Sequence, residues 1–189
     1  MEHLNINLFL FITSFAKTSE FLDNMMITFA EYMPYLFLII MVYTWFTNKK
    51  NETLYAGYTV ILGLLINQVI GLFIYHNRPF VDGFGVTLVM HKVENSFPSD
   101  HTTFLISIAL AFLIFKSSRK IGYLLFILAI IGGISRVYCG VHYPFDIACS
   151  FVVSVLAMIF IYIIKDDFYN INLFLIRFLK RLEFWRGLK

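Results

Sequence analysis

Five apolar stretches govern what this chain can fold into: Ile27–Phe46, Leu54–Tyr75, Ser99–Phe115, Ile121–Tyr138 and Ile147–Ile164. Each is long enough to cross a hydrocarbon core of about 30 Å as a helix. The last three run 17 to 18 residues, so their polar ends are expected at the interface. With 59% hydrophobic and 14% charged residues, a soluble domain is excluded. The 189 residues suit one domain, with a core over 54–164, an N-terminal segment over 1–26 and a basic tail over 165–189. Neither repeats nor low-complexity segments interrupt it.

The ends read differently from the middle. Leu4, Leu8, Phe11, Ile12 and Phe15 recur at helical spacing in a run too short to cross. This predicts an interfacial helix, the alternative being a sixth, tilted span that joins it to Phe21–Met26. After the last span, Ile171, Phe174, Leu175, Phe178, Leu179, Leu182 and Trp185 line one face, and Arg177, Lys180, Arg181 and Arg186 the other. That pattern predicts a basic amphipathic helix lying along the membrane. Glu31 and Pro34 within the first span predict an outer turn that is irregular or protected by protein. The fold class is therefore an all-α integral membrane protein of five spans, or six, between interfacial helices. Met-Glu-His lacks the positive stretch of a cleaved signal peptide. Cys139 and Cys149 are too few for a disulfide framework and read as small buried residues.

Lysine and arginine give the orientation. With five spans, eleven of the fifteen basic residues fall on one side, expected to be the cytoplasm together with the C-terminus. Lys17, Arg78, Lys92 and Arg136 remain outside. Basic residues are not gathered on one soluble face, so a nucleic-acid partner has no support.

Three polar clusters then share the outer side: His76-Asn77-Arg78-Pro79, Ser96-Phe97-Pro98-Ser99-Asp100-His101, and Ser135-Arg136 through His142 to Asp146. Ionisable groups beside hydrocarbon need a reason to be there. Arg78 and Arg136 can grip phosphate oxygens in pairs. Pro98 is expected in the first turn of the third span, with Ser99 and the amides after it facing an anion. His142 and Asp146, four apart, would share a face at a helix entry. The carboxylate would fix one imidazole nitrogen and leave the other to attack phosphorus. His101 would protonate the departing oxygen and later take a proton from water. Singly, each residue has a plainer reading: an anchoring arginine, a solvated histidine, a helix start or stop. His76 and His91 read as loop histidines, and Asn67 as a helix–helix hydrogen bonder. The clusters' shared depth and spacing favour the chemical reading.

These clusters resemble the signature of the type-2 phosphatidic acid phosphatase superfamily: an Arg-Pro element, Pro-Ser-x-His, and Ser-Arg-x5-His-x3-Asp. The resemblance runs from Leu54 to Ile164. It implies His142 as nucleophile, His101 as general acid, Asp146 as partner of His142, and Arg78, Ser99 and Arg136 as phosphoryl ligands, with Asp100 and Ser135 beside them. It implies neither metal nor cofactor, and no carboxylate cluster of Mg²⁺-site character is present. Two departures stand out. Gly71 occupies the position of a customary lysine, for which Lys92 is a replacement candidate. Asp100 replaces a customary glycine and is expected to turn to solvent or cap the helix start. Size and Ser-Phe-Pro-Ser-Asp-His-Thr-Thr resemble bacterial undecaprenyl-diphosphate phosphatases of the bacitracin-resistance type. That implies a polyprenyl diphosphate substrate, cleaved to the monophosphate at the outer face of the plasma membrane. Phosphatidylglycerophosphate or phosphatidate hydrolysis and lipid phosphotransfer are the enzymatic alternatives. A silent channel or scaffold is the alternative of another class.

Overall fold

The computed structural model describes residues 2–186, with side chains as far as residue 179. Its elements follow in the order α1 (Glu2–Thr13), α2 (Glu20–Trp45), α3 (Lys50–Phe73), α4 (Asp100–Ile114), α5 (Arg119–Tyr138), α6 (Pro144–Ile163) and α7 (Tyr169–Arg186). No strand occurs among the described residues. That suits a chain in lipid, where helices satisfy their own backbone groups.

The apolar α4 is the axis of the bundle and packs against α5, α3 and α6. Leu105, Ile106, Ile108, Ala109, Ala111 and Phe112 of α4 are all buried, in one core with Phe37, Leu125 and Ala129. A Cβ at Gly122 would lie 2.3 Å from the backbone nitrogen of Leu113, so only glycine lets α5 approach the end of α4 so closely.

Four helices, α2, α3, α5 and α6, are long and apolar enough to cross a membrane. The third expected span is shorter than its sequence suggested. Ser99 and Phe115 are caps, and α4 has 15 residues, rising about 22 Å. Enclosed by three longer helices, α4 does not need to match the bilayer by itself.

The first long helix begins earlier than its apolar run. Ser19 caps it, accepting from the Leu22 amide at 3.4 Å. Glu20 and Asp23 occupy its first turn, where the helix dipole favours acids. Phe21–Met26 therefore belongs to α2 and does not continue α1. Nor does Pro34 make the helix irregular: α2 runs unbroken from Glu20 to Trp45, with Glu31 exposed.

α1 packs on α5 and α6 through Asn5, Phe9 and Thr13. Of the apolar row read from the sequence, Leu4, Leu8, Phe11 and Phe15 face outward, and Ile12 packs against the core. At the opposite end of the bundle α7 meets α3, where the Tyr58 hydroxyl donates to Asn172 Oδ1 at 2.8 Å. Phe174, Arg177 and Phe178 are exposed. The side chains of Lys180, Arg181, Leu182, Trp185 and Arg186, and Lys189 entirely, lie outside the described residues.

Candidate active site

The C-terminal ends of α3 and α5 and the N-terminal ends of α4 and α6 meet at one end of the bundle. A single asparagine shapes the loop between α3 and α4. Asn95 Oδ1 accepts from the amides of His76 and Phe97 at 3.0 and 3.1 Å, while its Nδ2 donates to the Ile74 carbonyl at 2.8 Å. This brings Arg78 and Ser96 over the helix ends. Between α5 and α6 the chain turns at Gly140, whose φ of +76° suits glycine. A Cβ there would also lie 2.3 Å from the Val86 carbonyl oxygen. His142 follows this turn and precedes α6. Its proximity to Asp146 comes from the turn, and not from a shared helix face as the spacing suggested.

Arg78, His101, Arg136 and His142 line one cavity of about 300 Å³. His142 Nδ1 lies 3.4 Å from Asp146 Oδ2 and 3.3 Å from Ser96 Oγ. On the other edge of the ring, Nε2 lies 3.3 Å from Arg78 Nη1. Guanidinium nitrogens only donate, so the network assigns the proton to Nδ1 and a lone pair to Nε2. Burial pushes the His142 pKa down to about 4, against the raising effect of Asp146. The ring is thus neutral at pH 7, with its free nitrogen directed at the arginine-lined space.

Asp146 is fully buried. Its Oδ2 accepts from the Tyr143 amide at 2.8 Å and from the Ser96 hydroxyl, and its Oδ1 lies 3.2 Å from His76 Nδ1. The carboxylate both caps α6 and orients His142.

The two arginines are incompletely paired. Arg78 Nη1 donates to the Val141 carbonyl at 2.9 Å and Nη2 to Glu94 Oε1 at 3.2 Å. Arg136 Nη1 donates to the Ala30 carbonyl at 3.2 Å. That acceptor has a cause. Pro34 has no amide hydrogen, so the carbonyl four residues earlier loses its helical donor. The irregularity read from Pro34 is thus resolved by protein, and the protecting group is a site arginine. Arg78 Nε and Arg136 Nε and Nη2 are buried without a hydrogen-bond partner among the described residues. Buried N–H groups on cations are expensive to leave unpaired, and an anion would satisfy them.

Of the other sequence-derived phosphate ligands, Asp100 borders the same cavity, and Ser99, Ser135 and Lys92 do not. Ser99 turns into the helix start, where its Oγ accepts from the Thr102 amide at 3.4 Å and the Thr102 hydroxyl at 3.2 Å. Pro98 consequently precedes the cap and is not a first-turn residue, though it borders the cavity. Ser135 Oγ donates to its own helix at Gly132, 2.7 Å away. Lys92 is exposed and is not part of the cavity lining. Asp100 is exposed, does not supply the cap, and accepts from Asn67 Nδ2 at 2.8 Å. Asn67 also donates to Thr103 at 2.9 Å, tying α3 to α4 as expected. Cys139 and Cys149 are free. Among the described residues, no group of three or more His, Cys, Asp or Glu side chains could hold a metal ion.

Sequence reasoning missed Ser96, His76, Gln68, Glu94 and His91, the last a loop histidine that also lines the cavity. Ser96 and His76 hold Asp146. Gln68, one turn before Gly71 on α3, lines the cavity and is the polar group this helix presents near the missing lysine. Glu94, half-exposed, occupies Arg78 Nη2 at the cavity rim. Ser96 and His76 had a signal, since both stand in polar clusters that the sequence singles out.

A match to the PAP2 superfamily covers residues 52–169, which include all three polar clusters. The chain belongs to this family. It is a membrane protein and a phosphatase, and two curated relatives share most of its length. Undecaprenyl-diphosphatase BcrC of Bacillus subtilis (strain 168) is 37% identical over 156 residues, 81% of this chain and 80% of that protein. Bacitracin transport permease protein BcrC of Bacillus licheniformis is 36% identical over 165 residues, 85% of this chain and 80% of that protein. The crystal structure of LpxE from Aquifex aeolicus shares the PAP2 fold, with a TM-score of 0.72 at 24% identity, covering 83% of this chain and 93% of that one.

Proposed function

We propose that this PAP2 protein hydrolyses a polyprenyl diphosphate, undecaprenyl diphosphate, to the monophosphate and inorganic phosphate through a phosphohistidine. The observation carrying this reading is the set of groups around one cavity. His142 offers a free Nε2, His101 a second imidazole, and Arg78 and Arg136 three buried, unpaired N–H groups. The name of the Bacillus subtilis relative supports the substrate.

Nε2 of His142 attacks the terminal phosphorus. A P–N bond forms as the bond from that phosphorus to the bridging oxygen breaks. His101 gives its proton to the departing oxygen of the lipid monophosphate. Asp146, on the Nδ1 edge, stabilises the charge that develops on the phosphorylated ring. The guanidinium groups receive the equatorial oxygens, whose charge grows in the transition state. Water then attacks phosphorus, His101 takes its proton, the P–N bond breaks, and phosphate leaves. His142 returns to its starting state. No step draws on a metal.

Five spans, with α4 crossing inside the bundle, carry the site to the outer face of the bacterial plasma membrane and the basic tail to the cytoplasm. The excess of lysine and arginine at the opposite end supports this orientation. α1 and α7 lie at the two interfaces.

The test gives purified protein in detergent with EDTA undecaprenyl diphosphate, phosphatidylglycerophosphate and phosphatidate in parallel. Fastest phosphate release from the first is expected, together with an acid-labile, base-stable phosphoenzyme. A strict requirement for Mg²⁺ or preference for a phospholipid would overturn the reading.

A further inference from the structure

His76 has no part in the motif that defines the site, yet it makes a direct contact with the site's buried carboxylate. Its Nδ1 is 3.2 Å from Asp146 Oδ1, and no other partner reaches that oxygen among the described residues. Oδ2, by contrast, has Ser96, the Tyr143 amide and His142 around it. A buried carboxylate oxygen without a donor is strongly disfavoured. Without His76, the group would turn to bring both oxygens toward the donors on one side.

We propose that His76 is a positioning residue for phosphoryl transfer: its Nδ1–H holds Oδ1, which keeps Oδ2 on the Nδ1 edge of His142. The inference rests on His142 being the nucleophile. Three features of the surroundings suit the role. The His76 amide is fixed by Asn95 and its carbonyl by the Ser96 amide, so the loop itself sets the ring's height. The ring lies against Tyr143, with centroids 5.0 Å apart, and edge-on to Phe97 at 6.4 Å. Its outer edge opens to a second cavity of about 320 Å³, bordered by Glu2, Asn5, Asp82 and Tyr143. The Asp146 bond raises the His76 pKa above its usual value, which favours the donor-bearing ring.

Three variants test this against His142→Ala as reference. His76→Ala and His76→Phe both remove the donor, and the phenylalanine keeps the ring between Phe97 and Tyr143. His76→Asn places an amide N–H near the position of Nδ1. Turnover on undecaprenyl diphosphate is expected to fall about 10- to 100-fold in the first two, with KM changed less than twofold and phosphoenzyme formation slowed in parallel. The asparagine should recover at least a third of wild-type kcat. If His76→Phe turns over within twofold of wild type while His142→Ala is dead, the positioning role is wrong and the nucleophile stands. An asparagine as slow as phenylalanine would equally refute the hydrogen bond as cause. An active His142→Ala would instead overturn the reading of the site itself.

Discussion

The two ends of the bundle handle buried polarity in opposite ways. Away from the site, hydroxyls and termini find one another. Thr44 and Thr53 share a hydrogen bond of 2.9 Å, Tyr55 donates to the Lys165 carbonyl at 2.9 Å, and Ser118 donates to the Phe112 carbonyl at 2.8 Å. Atoms left over there, Asn51 Oδ1 and Asn172 Nδ2, belong to neutral amides. At the site end one neutral amide oxygen, Asn67 Oδ1, is joined by three guanidinium nitrogens, Arg78 Nε and Arg136 Nε and Nη2. Both ends therefore tolerate orphans, but only one tolerates charged ones. Stability alone does not explain charged donors without partners, since buried ions are easily outdone by apolar residues. An anion would satisfy those donors.

The sharpest way to break this contrast is to remove the imidazoles. His142→Ala should lose at least about 10⁴-fold in phosphate release, and His101→Ala about 10²- to 10⁴-fold, measured with undecaprenyl diphosphate. Retained turnover in either would leave the site end no more chemical than the other. Arg136→Met comes next, with an expected loss of about 10²- to 10³-fold in kcat, comparable to losing an oxyanion donor. The same variant removes a partly unpaired buried charge but leaves the Ala30 carbonyl without its donor, so its Tm should stay close to that of wild type. A marked fall in Tm would make Arg136 a structural residue.

Acid should expose the same end. Between pH 6.5 and about 4 the unfolded chain binds a proton at residue 142 that the folded chain refuses. Stability therefore falls as pH drops through that window, by about 3 kcal/mol at most. His76 is raised and its contribution is complete below 6.5, so it adds no slope there. His142→Gln should lessen the acid-side slope of a Tm-versus-pH curve without abolishing it, because His91, also lowered by burial, adds a slope of the same sign. An unchanged slope would show that the buried imidazole is not its source.

Pro34→Ala joins the two halves of the comparison. An amide restored at residue 34 competes with Arg136 for the Ala30 carbonyl. Stability should rise by up to about 3 kcal/mol, while turnover falls several-fold as the guanidinium loses its anchor. Equal turnover would separate the proline from the site. The smallest effect belongs to the other end: Tyr55→Phe should lower stability by about 1 kcal/mol and leave kcat untouched.

Much of the site was legible because span parity is arithmetic. Arg78, His101, Arg136 and His142 follow or precede apolar runs in an order that puts them at one end, whatever the packing. The hydroxyls were not legible. Ser99 and Ser135 sit among phosphate-binding candidates, yet their hydroxyls are engaged by groups within their own helices. Lys92 carries the right charge, but its loop turns it outward. Pro98 and the start of α2 were misplaced by a residue or more, because capping depends on the local path of the chain and not on hydropathy.

Asp146 illustrates the remaining division. Its spacing from His142 is written in the chain, and so is the need for a carboxylate beside an imidazole that must carry charge. Which of its oxygens faces His142 depends on Ser96 and His76, brought over α6 by a loop of 26 residues between α3 and α4. Hydrophobic periodicity and charge bias act locally and along the membrane normal, so the primary structure determined helices, ends and chemical type. Lateral placement within the bundle arises from close packing and hydrogen bonds between distant segments. Only the tertiary structure decided that the proline of α2 would present its freed carbonyl to Arg136, and that a loop histidine would reach a carboxylate 70 residues away.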